Sequence, residues 1–245
     1  MGKKISFVIS VFNEEKSLIE LVKQIKNVLK QDLRDYKYEI IFVNDGSTDD
    51  SLEVLKRLEE KNPEIKIFSF EKNLGKATAL RIGFKKAVGD FIVTMDSDLQ
   101  DGSENIPGLL QKINTGYDLV VGWRKKRTDP ISKIIPSIVF NFFVRNITKI
   151  PLHDFNSGLK VMRVSVAKQI YLYGELHRFI PILAFQKGFK ITELIVTHHP
   201  RKYGLSKYGK KRFIKSLFVF FAVMFKKINT FKTKDDLLIN YQSDK

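Results

Sequence analysis

The stretch NLGKATALRIGFKKAVGDFIVTMDSDLQD (Asn73–Asp101) decides the fold. Asn73 and Gly75 form a turn, and Lys76–Val88 then repeats apolar residues at three- and four-residue spacing, which predicts a helix. Gly89 and Asp90 break that pattern before Phe91–Met95, a short run rich in strand-forming residues. A helix feeding a strand is the repeating unit of a parallel sheet covered on its faces. The strand ends in Asp96-Ser97-Asp98-Leu99-Gln100-Asp101, and the carboxyl ends of such strands are where ligands gather.

Outward from this unit the pattern repeats. Strands are expected at Ile5–Val11, Tyr38–Asn44, Ile65–Phe70 and Asp118–Val121, with helices at Lys16–Lys30 and Asp49–Glu60, the latter capped by Ser47, Thr48 and Asp49. The alternation predicts an α/β fold with a mostly parallel central sheet. After Gly122 the expected elements are an amphipathic helix (Ile131–Thr148), a strand (Leu159–Arg163), a helix (Glu175–Lys187), a strand (Lys190–Thr197) and a basic C-terminal helical extension (Lys211–Lys227). We therefore expect a ligand-binding half over residues 1–122, a second half of the same domain over 123–228, and a polar tail over 229–245.

Composition narrows the function. The chain of 245 residues is 43% hydrophobic and 29% charged, which suits a globular core. It has no cysteine, so disulfide scaffolds and thiolate metal sites are excluded. Residues 1–122 hold 18 Lys and Arg against 20 Asp and Glu, a net −2, whereas residues 123–245 hold 25 against 7, a net +18. The basic half is expected to face something anionic: acidic lipid headgroups, a phosphorylated substrate or nucleic acid. The start, Met-Gly-Lys-Lys-Ile-Ser-Phe-Val, reads as the first strand rather than a secretory signal. Leu217–Phe225 is too short an apolar run to span a bilayer.

Three polar loops are expected on one rim: Ser10–Glu15 after the first strand, Val43–Asp49 after the second, and Asp96–Asp101. Asn and Asp in the second loop suit turns and caps as well as ligands. Asp96 and Asp98 with Gln100 are harder to explain locally, because paired carboxylates repel one another unless a cation lies between them. Oxygen donors suit Mg²⁺ or Mn²⁺, and such an ion would neutralise a diphosphate leaving group. No Gly-x-Gly-x-x-Gly follows the first strand, and Gly75-Lys76-Ala77 lacks the rest of a P-loop. Nucleic acid is disfavoured as a partner because the acidic rim would repel its phosphates.

The segments SVFNEE (Ser10–Glu15), VNDGSTDDS (Val43–Ser51), Asn73–Asp101, VVGWR (Val120–Arg124), DFNSGLKVMR (Asp154–Arg163), GELHRFIPILAFQKGF (Gly174–Phe189) and HHPRKYGLSKYG (His198–Gly209) together resemble family-2 glycosyltransferases of the GT-A fold. The resemblance is to their polyprenyl-phosphate branch, which includes dolichol-phosphate mannose synthase and the bactoprenol glucosyltransferases. It implies an inverting transfer of a hexose from a UDP- or GDP-linked sugar to a polyprenyl phosphate. It also implies roles for particular residues. Ser10, Phe12, Glu14, Val43 and Asp45 match nucleotide-binding positions. Asp96, Ser97 and Asp98 match the metal and diphosphate motif, with Gln100 as a third ligand. Arg124 matches an arginine near donor sugar and acceptor phosphate, and Arg201 and Lys207 match a closing loop that Gly204 and Gly209 would let move. Asp154 is a base, a positioning group or a turn cap. Glu175, His177 and Arg178 either serve the acceptor side or, for Glu175 and Arg178, form an i,i+3 pair. His153, His198 and His199 read as ordinary structural residues.

A glycosyltransferase acting on a soluble hydroxyl is the other enzymatic reading, and would require Asp154 as a base. The Phe-rich and Lys-rich run around Phe213–Lys227 fits core packing, an interfacial helix or a homo-oligomer contact. With the charge of the second half, the expectation is a protein held peripherally on the cytoplasmic face of an anionic membrane.

Overall fold

A computed structural model describes residues 2–204 together with Phe220 and Val223, the side chain of Lys133 excepted. Lys207, Gly209, the rest of the expected last helix and the tail lie outside the described residues. In chain order the elements are β1 (Lys4–Val11), α1 (Leu18–Asp32), β2 (Lys37–Asn44), α2 (Ser51–Glu60), β3 (Ile65–Ser69), α3 (Lys76–Lys86), β4 (Phe91–Thr94), α4 (Ile106–Ile113), β5 (Leu119–Trp123), α5 (Ile131–Thr148), β6 (Lys160–Arg163), α6 (Val164–Gln169), α7 (Ile180–Gln186) and β7 (Ile191–Ile195). They build one seven-stranded sheet in the order β3-β2-β1-β4-β6-β5-β7.

The first four strands in that order are parallel, as the helix-strand alternation requires. β6 runs antiparallel to both β4 and β5, and β7 is parallel to β5. The chain order turns back between β1 and β4, which opens a crevice at their carboxyl ends. Near-continuous apolar runs, such as Phe7, Val8 and Ile9 in β1 and Ile40 to Val43 in β2, are buried because helices cover both faces. α1 turns Leu18, Leu21, Val22, Ile25, Val28 and Leu29 onto one face of the sheet, and α3 closes the other with Ala79, Leu80 and Phe84.

Several boundaries differ from expectation. The expected helix Glu175–Lys187 is a 3-10 turn at Leu176–Phe179 followed by α7. Pro181 has no N–H to donate and fits best in a first turn, and the α-helix begins beside it. α4 and α6 were not expected. Both are short, and α4 likewise carries Pro107 in its first turn. At α2 the N-cap residue is Asp50, and Asp49 supports the turn before it through Oδ1, which accepts the Ser51 N–H at 3.0 Å. Ser47 and Thr48 instead hold the loop after β1: the Asn13 N–H donates to Ser47 Oγ and the Thr48 N–H to Asn13 Oδ1.

α5 forms as expected but faces two ways. Phe140 and Val144 are buried, and Phe140 meets Phe179 and Phe220 at ring-centroid separations of 6.1 Å. Ile131, Ile135, Ile138, Phe142 and Phe143 on the same helix are exposed. Phe220 is therefore a core residue, and the Val223 carbonyl accepts from Gln186 Nε2 at 3.2 Å.

Candidate functional site

The carboxyl ends of β1, β2 and β4 enclose a cavity of about 280 Å³. Ser10, Phe12 and Glu14 line it from the first loop, Asp45 from the second, and Asp96, Ser97 and Asp98 from the third. Asn73, Gly75 and Lys76 close one side, and Arg201 lies over the carboxylates. Val43 is buried in the core of β2 rather than on the cavity wall. Gln100 does not line the cavity either: its Nε2 lies 3.4 Å from the His199 carbonyl, beside the segment that carries Arg201.

The loop after β4 owes its shape to Leu99, whose φ of 65° is left-handed and whose side chain is buried. A branched side chain in that backbone region is strained, and burial holds it there. The turn brings Asp101 back so that its Oδ2 accepts the Asp96 N–H at 2.9 Å. Gly158 presses against the same loop. A Cβ there would lie 2.5 Å from Asp101 Oδ2 and 2.7 Å from the Asp96 carboxyl carbon, so only glycine fits. Across the cavity, Asp45 accepts the Leu74 N–H at 2.7 Å and the Gly75 N–H at 3.0 Å, fixing the entry to α3.

The carboxylates are balanced by cations of the chain itself. Lys76 Nζ pairs with Asp96 Oδ1. Arg201 reaches Asp98 Oδ2 at 2.6 Å and Glu14 Oε1 at 3.2 Å. Arg124 grips Asp154 with two parallel bonds, Nε to Oδ2 at 2.7 Å and Nη2 to Oδ1 at 3.0 Å. Burial works to raise the pKa of Asp154, but Arg124 outweighs it and leaves the carboxyl below its ordinary value. Burial likewise opposes ionisation of Asp96, and Lys76 prevails. Asp98 is raised by burial and by Asp96, with Arg201 pulling the other way. Asp101 is pushed up to about 7 by burial and by Asp96, and Asp45 to about 6 by burial against its two backbone donors.

A divalent cation fits this donor set in one particular manner. Asp96 and Asp98 supply hard oxygens on the cavity wall. Among the described residues no three His, Asp or Glu side chains converge to hold an ion by themselves. An ion there would take its remaining oxygens from a diphosphate and water, as Mg²⁺ commonly does.

Glu175 and Arg178 form the i,i+3 pair at 3.1 Å, and His177 is buried beside them. None of the three lines the cavity. His198 is buried, lies 3.1 Å from Thr128 Oγ1, and is depressed to about 4 by burial and by Arg124. Sequence reasoning gave no role to Lys76 beyond a failed P-loop, nor any to Lys160, buried in β6 with Nζ donating to the Ser157 carbonyl. A single lysine inside the apolar strand Leu159-Lys-Val-Met162 was the available signal.

The sequence profile of the family described as glycosyl transferase family 2 matches residues 6–171. The chain belongs to this family. Among its family-2 relatives is the dodecaprenyl-phosphate galacturonate synthase of Rhizobium johnstonii, 37% identical over 91% of this chain and 67% of that protein. The undecaprenyl-phosphate 4-deoxy-4-formamido-L-arabinose transferase of Pseudomonas syringae pv. syringae is 35% identical over 88% of this chain and 64% of its own length. The chain thus spans about two thirds of these relatives. In fold, the family-2 chain is similar to glucosyl-3-phosphoglycerate synthase of Mycobacterium tuberculosis, solved with Mn²⁺ and UDP-glucose. That structure superposes with a TM-score of 0.68 at 17% identity, covering 90% of this chain and 78% of that one. A mannosyltransferase of Pyrobaculum calidifontis, solved with GDP-mannose and Mn²⁺, gives 0.65 at 16% identity over 96% of this chain and 67% of that one. These likenesses establish the GT-A fold.

Proposed function

We propose that this family-2 glycosyltransferase moves a hexose from a UDP- or GDP-linked sugar to a polyprenyl phosphate, inverting the anomeric carbon. The observation that carries the acceptor is the pair of relatives matched along nearly the whole chain, both named for polyprenyl-phosphate substrates. The donor reading rests on the cavity and its carboxylates.

In this reading Asp45, Glu14 and Ser10 hold the nucleoside, and Asp96 and Asp98 hold Mg²⁺ or Mn²⁺. The ion supplies Lewis-acid neutralisation of the diphosphate. An acceptor phosphate oxygen attacks the anomeric carbon while the bond to the diphosphate oxygen breaks, its electron pair leaving with the nucleoside diphosphate. Arg201, already over Asp98, turns to the leaving diphosphate and stabilises its charge; Lys207 would act beside it. Arg124 holds the acceptor phosphate, and Asp154 orients Arg124. A carboxyl kept ionised inside a two-bond arginine pair is a poor proton acceptor, and an ionised phosphate needs none. That pairing speaks against the hydroxyl-acceptor alternative.

α5 suits the same acceptor. Its exposed Ile135, Ile138 and Phe142 lie near exposed Lys125, Lys126, Arg145 and Lys149 in the chain. Among the described residues no helix is long and apolar enough to cross a membrane. We read this face as resting on the cytoplasmic surface of an anionic membrane.

The test is turnover. The full chain is supplied with UDP- and GDP-sugars, Mg²⁺ or Mn²⁺, and undecaprenyl phosphate in detergent, and the expected product is a lipid-linked sugar phosphate. Transfer to soluble hydroxyls in preference to the lipid would overturn the reading.

A further inference from the structure

Lys160 has no place in the chemistry above, yet it is among the most deeply buried charges in the protein, 3% exposed. It sits on β6 opposite Thr94 of β4 and Val121 of β5, in the middle of the sheet. A sheet interior asks for an apolar residue there, and an ammonium taken out of water is costly unless something nearby needs its charge. Its hydrogen bond goes to the Ser157 carbonyl, and among the described residues no carboxylate is in ion-pair contact with it. The charge is thus not consumed by one partner and is felt by several groups, Lys76, Asp96, Asp154 and Asp101. Lys76 and Asp96 line the cavity, whereas Lys160 does not. Burial and Lys76 lower its pKa to about 8, while Asp96, Asp154 and Asp101 work to keep the proton on.

We propose that Lys160 is a positioning residue of the donor site, a buried positive charge that touches no substrate and acts through Asp96 and Lys76 to favour a diphosphate and disfavour a bare divalent cation. It rests on the nucleotide-sugar reading and adds to it a residue and an electrostatic role. With Lys160 behind them, the carboxylates of the cavity bind an ion weakly until a diphosphate brings the balancing negative charge. The same turn that Lys160 anchors carries Gly158 against Asp96 and Asp101, so the charge sits behind the acidic loop and not at the cavity mouth.

A charge acting through space moves cation and anion affinities in opposite directions, while a damaged scaffold weakens both. The experiment titrates the full chain at pH 7 with Mn²⁺ alone, and separately with UDP and GDP in chelator, for the wild type, Lys160→Met and Lys160→Arg. Lys160→Met is expected to bind Mn²⁺ about tenfold more tightly and the metal-free nucleoside diphosphate about tenfold more weakly, and Lys160→Arg to keep both affinities. Lys160→Gln replaces the methionine variant if that does not fold, with the same opposed signs expected. Both affinities falling together, or neither moving, overturns the proposal. A wild type that binds none of the three probes overturns the donor-site reading itself, and the role of Lys160 with it.

Discussion

Up to Gly122 the chain spends its apolar residues on its own core, and beyond Gly122 it leaves many of them outside. α1 buries all six of its stripe residues against the sheet, whereas α5 buries Phe140 and Val144 and exposes Ile131, Ile135, Ile138, Phe142 and Phe143. The charge divides in the same direction, −2 against +18. In the first region β1 to β4 run parallel, helices cover both faces, and polar residues collect at one rim. The second adds β6 and β7 to the same sheet, on either side of β5, but presents a basic and apolar exterior. The difference is why we propose small-ligand chemistry in the crevice between β1 and β4 and contact with a large apolar partner on α5.

The sharpest break of this comparison is at the rim. Asp98→Ala removes a cavity carboxylate held by Arg201 and is expected to lower kcat/KM about 10³-fold while the protein stays folded. Excess chelator should silence the wild type to a similar degree. An active Asp98→Ala enzyme, or full turnover in chelator, would return Asp96 and Asp98 to being turn residues.

The next prediction tests the seam between the regions. Asp154→Asn leaves the buried Arg124 without its counter-charge and should cost about 3–5 kcal/mol of stability, read from denaturant unfolding. In the native state Asp154 is depressed by Arg124 despite burial. The stability it contributes is present above its unfolded pKa and is lost as pH falls through the lower folded value. Asp154→Asn should therefore flatten the acid limb of the stability curve. At neutral pH, kcat should drop, with the pH–rate profile keeping its shape. A profile that loses a limb would make Asp154 a base.

Most of the rim was legible because it needs only local information. A short apolar run followed by acidic residues places the side chains at a strand end, and the loops after β1, β2 and β4 do converge on one cavity. What was not legible is which cations answer those acids. Lys76 looks in sequence like any first-turn lysine, and Lys160 like an interruption of a strand. Only the pairing of β6 with β4, between residues 66 positions apart (Thr94 and Lys160), brings the second behind the acidic loop. Gln100 lies off the cavity wall for the related reason that spacing gives proximity along the chain, while the left-handed Leu99 shapes the turn that carries the next side chain. α4 and α6 escaped because short helices carry too few turns to show a period.

A smaller effect is expected at the loop that joins the two regions. Arg201→Ala removes contacts to Asp98 and Glu14 and should lower the turnover number about 30-fold while donor affinity changes only a few-fold, since charge on the leaving diphosphate grows in the transition state. Single-turnover rates set beside equilibrium binding of the donor separate the two. A fall in affinity at unchanged turnover would make the loop a binding element only.

The smallest stability effect should come from the face that most distinguishes the second region. Phe142→Asp alters an exposed side chain, and such changes usually stay within about 0.5 kcal/mol. Phe140→Ala, two residues earlier, empties a site packed against Phe179 and Phe220 and should cost about 3–5 kcal/mol. Membrane binding should rank them the other way. A bilayer rewards apolar burial and opposes a carboxylate near anionic headgroups, so Phe142→Asp should lose sedimentation with anionic vesicles at low salt while Phe140→Ala keeps it below its melting temperature. If Phe142→Asp still sediments, or if the wild type binds neutral and anionic vesicles alike, the exposed face of α5 meets protein instead. Analytical ultracentrifugation of the wild type against Phe142→Asp would then show a self-association that the substitution breaks.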